Sequence, residues 1–336
     1  MATLPGALAQ LAQSGSSFAF LAQPLTATLA LCAQCIVFSF VAGTATGWWS
    51  WVDRIWSIAP ALYVVLYASL WPVAHPRLIL MAALSALWAV RLTYNFARKG
   101  GFGEVTPEME DYRWPWVRKW MQAHLPAPLA PVLQHAFHAL FVCTYQNVLL
   151  WLQVVPACMT VGSAPHSALT QWDGAAALAF LGLLALETVA DETQWAFQSK
   201  KHAMTPAQRK AAGGDFSRGF CTSGIFAYSR HANFFAEQSM WWAFFALGAA
   251  ARTPPSFGEA LLHYSAAGPL LLSLLFQGST PLTEAITASK YPAYAEYQAR
   301  VSCLIPWFPA GEGAAAALPA PADRAQKARS ASAKRA

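Results

Sequence analysis

The sequence predicts an all-α membrane protein, a polytopic helical bundle of about seven transmembrane helices. Three observations lead there. Apolar residues make up 56% of the 336 and charged residues only 11%, the reverse of the balance that keeps a soluble surface wet. Seven apolar runs are long enough to cross a hydrocarbon core. The basic residues, finally, gather on one side of those runs.

The runs lie at about 25–42, 55–71, 78–97, 132–155, 174–190, 232–251 and 259–277. No basic segment precedes the first and no small-residue cleavage site follows it, so it reads as a span and not as a removed signal peptide. The 15 Trp suit the interface, where an indole meets headgroups on one edge and acyl chains on the other.

Of the 22 Lys and Arg, 19 fall after runs one, three and five or in the C-terminal tail. The opposite side holds Arg77 and Arg252, and Arg91 lies within the third run. This asymmetry predicts an outer N-terminus and a cytosolic C-terminus. The net charge of +6 therefore reads as topology and not as nucleic-acid binding. The tail, residues 311–336, is low in complexity, lacks apolar periodicity and is expected to be disordered, its basic groups suited to anionic lipid. Residues 1–24 form an N-terminal segment, and 25–310 the membrane domain. The membrane implied is the endoplasmic reticulum in a eukaryote and the inner membrane in a bacterium.

No metal site is expected. Cys32 and Cys35, three apart in an apolar run, read as two small hydrophobes. His135 and His138 are one close pair, too few for a di-iron cluster.

Ionisable groups inside a span are costly and call for a reason. In "LWAVRLTYNFARKGG", Arg91, Tyr94, Asn95 and Arg98 are spaced i, i+3, i+4 and i+7, one helix face, with Lys99 following. In "LETVADETQWAFQSKK", Glu187, Asp191, Gln194 and Gln198 share a face ahead of Lys200 and Lys201. In "YSRHANFFAEQSMWW", Arg230, Asn233 and Glu237 are spaced i, i+3 and i+7 beside His231. A helix starting near Ser229 would turn its free amides toward an anion there. Thr280 and Pro281 read as N-cap and first residue of a further, polar helix that closes over the bundle.

Three polar clusters are thus expected at one aqueous face, as a cofactor with outer phosphates and a buried reactive ring requires. No G-x-G-x-x-G follows a strand and no P-loop occurs, so a nucleotide has to sit between helices. The glycines of "RKGGFGE" read as a turn.

The stretches "GIFAYSRHANFFAEQ" and "LFQGSTPLTEAITASKYPAYAEYQARVSCLIPWFP", with "VDRIWSIAP" and "RLTYNFARKGG" nearer the N-terminus, resemble the C-terminal domain of the steroid 5α-reductase superfamily. The likeness is greatest to its branch of unknown function and spans roughly residues 50–310. It implies a seven-span bundle that binds NADPH and reduces a carbon–carbon double bond conjugated to a carbonyl in a small hydrophobic lipid. Carried over by position, Arg91, Asn95, Arg98, Lys99, Asp191, Lys200, Arg230, His231, Asn233 and Glu237 are the cofactor contacts the resemblance implies. Asp53 stands where the reductases have a glutamate that polarises the substrate carbonyl together with a tyrosine, and Pro60 supports that register. Trp88 occupies the tyrosine's place, which leaves Tyr94 or Tyr63 to act with Asp53.

The expected activity is therefore an NADPH-dependent enone reductase of the membrane. Two alternatives stand beside it. The Arg-His pair with its downstream Glu is also similar to the motif of isoprenylcysteine and phospholipid methyltransferases, which bind S-adenosylmethionine, although Ala232 stands where those have proline. A non-catalytic relative is suggested by Trp88.

Overall fold

The computed structural model describes residues 24–70, 75–162, 168–250 and 263–310. The expectations for residues 1–23 and for the tail after 310 lie outside them. The described residues fold into helices and turns, with no strand among them. Four helical stretches, Pro24–Thr46, Pro76–Arg98, Ala130–Cys158 and Gln171–Ala203, are long and apolar enough to cross a membrane. They coincide with the first, third, fourth and fifth predicted runs. The second run corresponds to a 12-residue apolar helix, Ala59–Leu70.

The chain divides into two compact units, Met1–Gly182 with Gln238–Leu274, and Leu183–Glu237 with Leu275–Ala336. In the first, α1 (Pro24–Thr46) exposes Val37, Phe38 and Val41, side chains that only lipid covers favourably. Gly47, at a φ of 67° that favours glycine, turns the chain out of α1 into a 3-10 turn, Trp49–Arg54. Then come α2 (Ala59–Leu70) and α3 (Pro76–Arg98), which pack on one another. A stem of turns leads to α4 (Arg113–His124) and α5 (Ala130–Phe137). The helix continues as a π segment, His138–Tyr145, and α6 (Gln146–Val154). Thr144 Oγ1 donates to the carbonyl of Ala139 at 2.8 Å, five residues back, as the wide helix allows.

Arg77 in the first turn of α3 and Asp173 in the first turn of α7 (Gln171–Ala203) form a buried bidentate pair at 2.5 and 2.8 Å. Thr170 donates its N–H and its hydroxyl to the same carboxylate. Later in the chain, α10 (Ala232–Ala249) and α11 (Ala267–Lys290) add their first-unit residues through glycines. A Cβ on Gly248 would collide with Pro156, and one on Gly268 with the backbone of Leu152.

The second unit holds α7 from Leu183 onward, the short helices α8 (Pro206–Ala212) and α9 (Gly214–Arg218), the start of α10, the end of α11, and α12 (Tyr294–Arg300). Two expectations are corrected here. Pro281 does not open a new helix but lies inside α11, so Thr280 is no N-cap. Proline removes one backbone donor. The helix runs through because both flanks hold, Thr283 Oγ1 and Thr287 Oγ1 each bonding the carbonyl four residues back and Glu284 anchoring the next turn. Second, α10 starts at Ala232 and not near Ser229. The amides of Arg230 and His231 donate to the carbonyls of Ser302 and Cys303 at 2.9 and 3.1 Å, so these two are not open to an anion.

Candidate functional site

In the first unit the 3-10 turn is clamped by the stem that follows α3. The amide of Trp49 donates to Glu110 Oε1 at 2.8 Å, and the amide of Asp111 donates to Ser50 Oγ at 3.0 Å. Glu110 is held by Arg118, whose guanidinium also covers the Trp49 ring at 4.8 Å. Arg113 forks onto Asp111 at 2.8 and 3.0 Å. Arg54 donates to the carbonyl of Gly103 at 2.5 Å and stacks on Trp48 and Trp51. Trp49, Val52, Trp114 and Val142 form the apolar floor.

Asp53 sits on this turn, with Oδ2 buried and without a hydrogen-bond partner. Burial, and next the negative charge of Asp111, push its carboxyl up to about 6, against the opposing charge of Arg113 and the polar side chains of Ser50 and Trp114 that face it. A carboxyl so placed changes protonation near neutral pH.

The Arg91–Lys99 run ends at the same part of the unit, since Ser57 and Thr93 share a hydrogen bond at 2.9 Å. Asn95 is buried and accepts two hydrogen bonds from Arg98 at 2.8 and 3.0 Å. Tyr94 is 63% exposed, with the Arg98 guanidinium 5.3 Å from its ring centroid. Trp88 is buried edge-on against Trp241 at 5.0 Å. Tyr63 is fully buried, its hydroxyl facing the thiols of Cys32 and Cys35.

The second unit is organised around Glu284. Arg230 forks onto it at 2.6 and 3.2 Å, His231 Nε2 approaches at 3.1 Å, Gln298 donates at 2.8 Å and Tyr294 at 3.3 Å. Burial alone would raise the Glu284 carboxyl, but the bonds from His231, Arg230 and Gln298 outweigh it and hold it at about 2. Arg230 Nη1 also donates to the carbonyls of Gln298, at 2.9 Å, and Val301. Four of its five N–H donors are thereby directed at Glu284 and two carbonyls. Ligand atoms of His231, Glu284 and Cys303 lie within 4.8 Å of one another. A cation entering that triad would displace a guanidinium.

The remaining second-unit candidates have surroundings of their own. Lys200 lies over the Phe216 ring at 5.3 Å, and Lys201 donates to the carbonyl of Gly219 at 3.0 Å. Asp191 and Glu237 are buried and Asn233 is half-buried. Two buried acceptors, Gln194 Oε1 and Thr280 Oγ1, have no hydrogen-bond partner in the described structure.

Sequence reasoning singled out Arg230 and His231 but missed their common partner Glu284, 53 residues on from His231. It also missed Arg54, Glu110 and Trp114. Their signal was the density of Trp, Arg and acid in "WWSWVDR" and "EMEDYRWPWVRKW".

A family model described as a protein of unknown function, DUF1295, matches residues 39–301. The uncharacterized protein C594.04c of Schizosaccharomyces pombe is 36% identical over 265 residues, which cover 76% of this chain and 72% of that protein. No solved structure matches.

Proposed function

The chain belongs to the DUF1295 family, and on that premise we propose that it is an integral membrane oxidoreductase. Its reaction is the NADPH-dependent reduction of a double bond conjugated to a carbonyl in a hydrophobic substrate. The observation that carries this reading is Asp53, a carboxyl with a buried, unpartnered oxygen pushed up to about 6. An acid of that kind suits the carbonyl oxygen of an enone, on which negative charge develops.

NADPH would supply the hydride for the β-carbon. The chain's own task is to hold the carbonyl through Asp53 and to bind the cofactor. For binding, Arg91, Asn95, Arg98 and Lys99 are proposed in the first unit, and Asp191, Lys200, Arg230, His231, Asn233 and Glu237 in the second. The fit is uneven. Lys200 and the basic end of α3 suit phosphate oxygens, whereas Arg230 and His231 already hold Glu284. Tyr94, largely exposed, is the weaker partner for Asp53, and Tyr63 offers a buried hydroxyl. The membrane proposed is the endoplasmic reticulum in a eukaryote and the inner membrane in a bacterium.

Calorimetric titration of the detergent-purified chain with NADPH, NADH and S-adenosylmethionine tests the proposal. NADPH binding that persists in Asp53→Asn, with loss of enone-dependent NADPH oxidation, is the expected result. Binding of S-adenosylmethionine alone would replace it with a lipid methyltransferase.

A further inference from the structure

Four buried polar atoms without a hydrogen-bond partner lie in one small part of the first unit: Trp48 Nε1, Asp53 Oδ2, Arg54 Nε and Trp114 Nε1. Such groups are rarely left unmade, because each forfeits its bond to water and gains nothing in return. Trp48 and Trp114 are only 4% and 5% exposed. The four belong together: Arg54 lies over the Trp48 ring at 4.8 Å, Trp114 neighbours both Trp49 and Asp53, and residues 53 and 54 are consecutive.

Their chemistry limits the occupant. An indole N–H and a guanidinium N–H only donate, so Trp48 and Arg54 require an acceptor oxygen, and Trp114 finds one only in part, in the Asp53 carboxyl it faces. The charges nearby cancel, Arg54, Arg113 and Arg118 standing against Asp53, Glu110 and Asp111. Arg113 and Arg118 are already committed to carboxylates of their own. No surplus positive charge remains for a phosphate or a carboxylate. The turn follows directly on α1, a helix apolar enough to cross a membrane, so an occupant reaches it with an apolar body in the bilayer.

We propose that Trp48, Arg54 and Trp114, acting with Asp53, recognise an uncharged oxygen, carbonyl or hydroxyl, at the polar end of an amphiphilic ligand. This rests on the reading of Asp53 as the group that meets the substrate oxygen, and adds the three donors that select it. Asp53 serves either oxygen, accepting from a hydroxyl when ionised and donating to a carbonyl when protonated. Arg54 is placed by Trp48, Trp51 and the carbonyl of Gly103, so its Nε direction is fixed before a ligand arrives.

The test uses the full-length chain in detergent, without nicotinamide, and four amphiphiles with one tail: trans-2-hexadecenal, hexadecan-1-ol, hexadecanoate and hexadecyl phosphate. The aldehyde and the alcohol should bind at least about tenfold more tightly than the two anions. Trp48→Phe and Trp114→Phe, which keep the ring and delete the N–H, should each weaken aldehyde binding by about three- to tenfold, the worth of one hydrogen bond. Trp48→Phe should leave the ligand-free Tm unchanged or raised, since it removes an unpaired buried donor. Anions binding as well as the aldehyde, no probe binding, or a lowered Tm with unchanged affinity would each overturn the proposal. The last of these would assign the donors to ordered water. Failure of NADPH to bind would leave these affinities untouched and would count against the reductase reading alone.

Discussion

Arg77 and Asp173 meet at 2.5 Å with 2% and 0% of their side chains exposed. A buried pair of this kind registers α3 against the start of α7, because neither charge is tolerable without the other. Removing one member, as in Arg77→Met or Asp173→Leu, is expected to cost about 3–5 kcal/mol. The double replacement Arg77→Met with Asp173→Leu should recover most of the loss. Thermal unfolding of the four proteins in one detergent measures the coupling.

Glu284 and Asp53 should give stability opposite dependences on pH. Glu284 is held at about 2, below its ordinary value, so the folded chain binds fewer protons than the unfolded one in that window. Its stabilisation is present above the ordinary carboxylate range and is lost as pH falls toward 2. Glu284→Gln should abolish that acid-side loss and leave the protein less stable at neutral pH.

Asp53 is raised to about 6, so the folded state keeps a proton that the unfolded state has released. Its contribution therefore falls as pH rises from the ordinary carboxylate range through 6. Asp53→Asn should be more stable than the parent at pH 7 and match it near pH 4. Equal stability of the two at both pH values, by denaturant titration, would remove the buried-acid reading.

Gly219 has a φ of 88°, and a Cβ there would collide with the Tyr291 ring. Gly219→Ala should cost about 1–2 kcal/mol for the left-handed backbone, with a steric share added. Adding Tyr291→Ala should return only the steric share. Unfolding midpoints of the single and double variants separate the two.

Glu284 with Arg230 and His231 shows what the sequence could and could not reveal. Helices were legible because lipid demands long apolar runs, and the polar faces were legible from i, i+3 and i+7 spacing. The start of α10 and the unbroken course of α11 past Pro281 were not, because tertiary contacts outvoted local signals. Pro281 looks like a helix opener until Glu284 is seen to hold the turn after it, and Ser229 looks like a start until its neighbours' amides are found bonded to Ser302 and Cys303. Asp53 could be placed only by resemblance. Its neighbours Trp48, Arg54 and Trp114 lie on two segments about sixty residues apart, linked through Glu110 and Asp111 contacts 61 residues distant in sequence, and no periodicity encodes such a meeting.

The bonds from residues 229–231 to residues 302–304 carry a consequence for how the chain is made. Ser229 Oγ donates to the carbonyl of Leu304 at 2.7 Å, across 75 residues. When α10 leaves the ribosome, the partners of its entry segment have not yet been translated, and neither has Glu284, the counter-charge of Arg230. The second unit therefore completes its folding only late in synthesis. A chain stopped before residue 302 would leave this unit incomplete, while α1 to α7, with every stretch long and apolar enough to cross a membrane, have already been made.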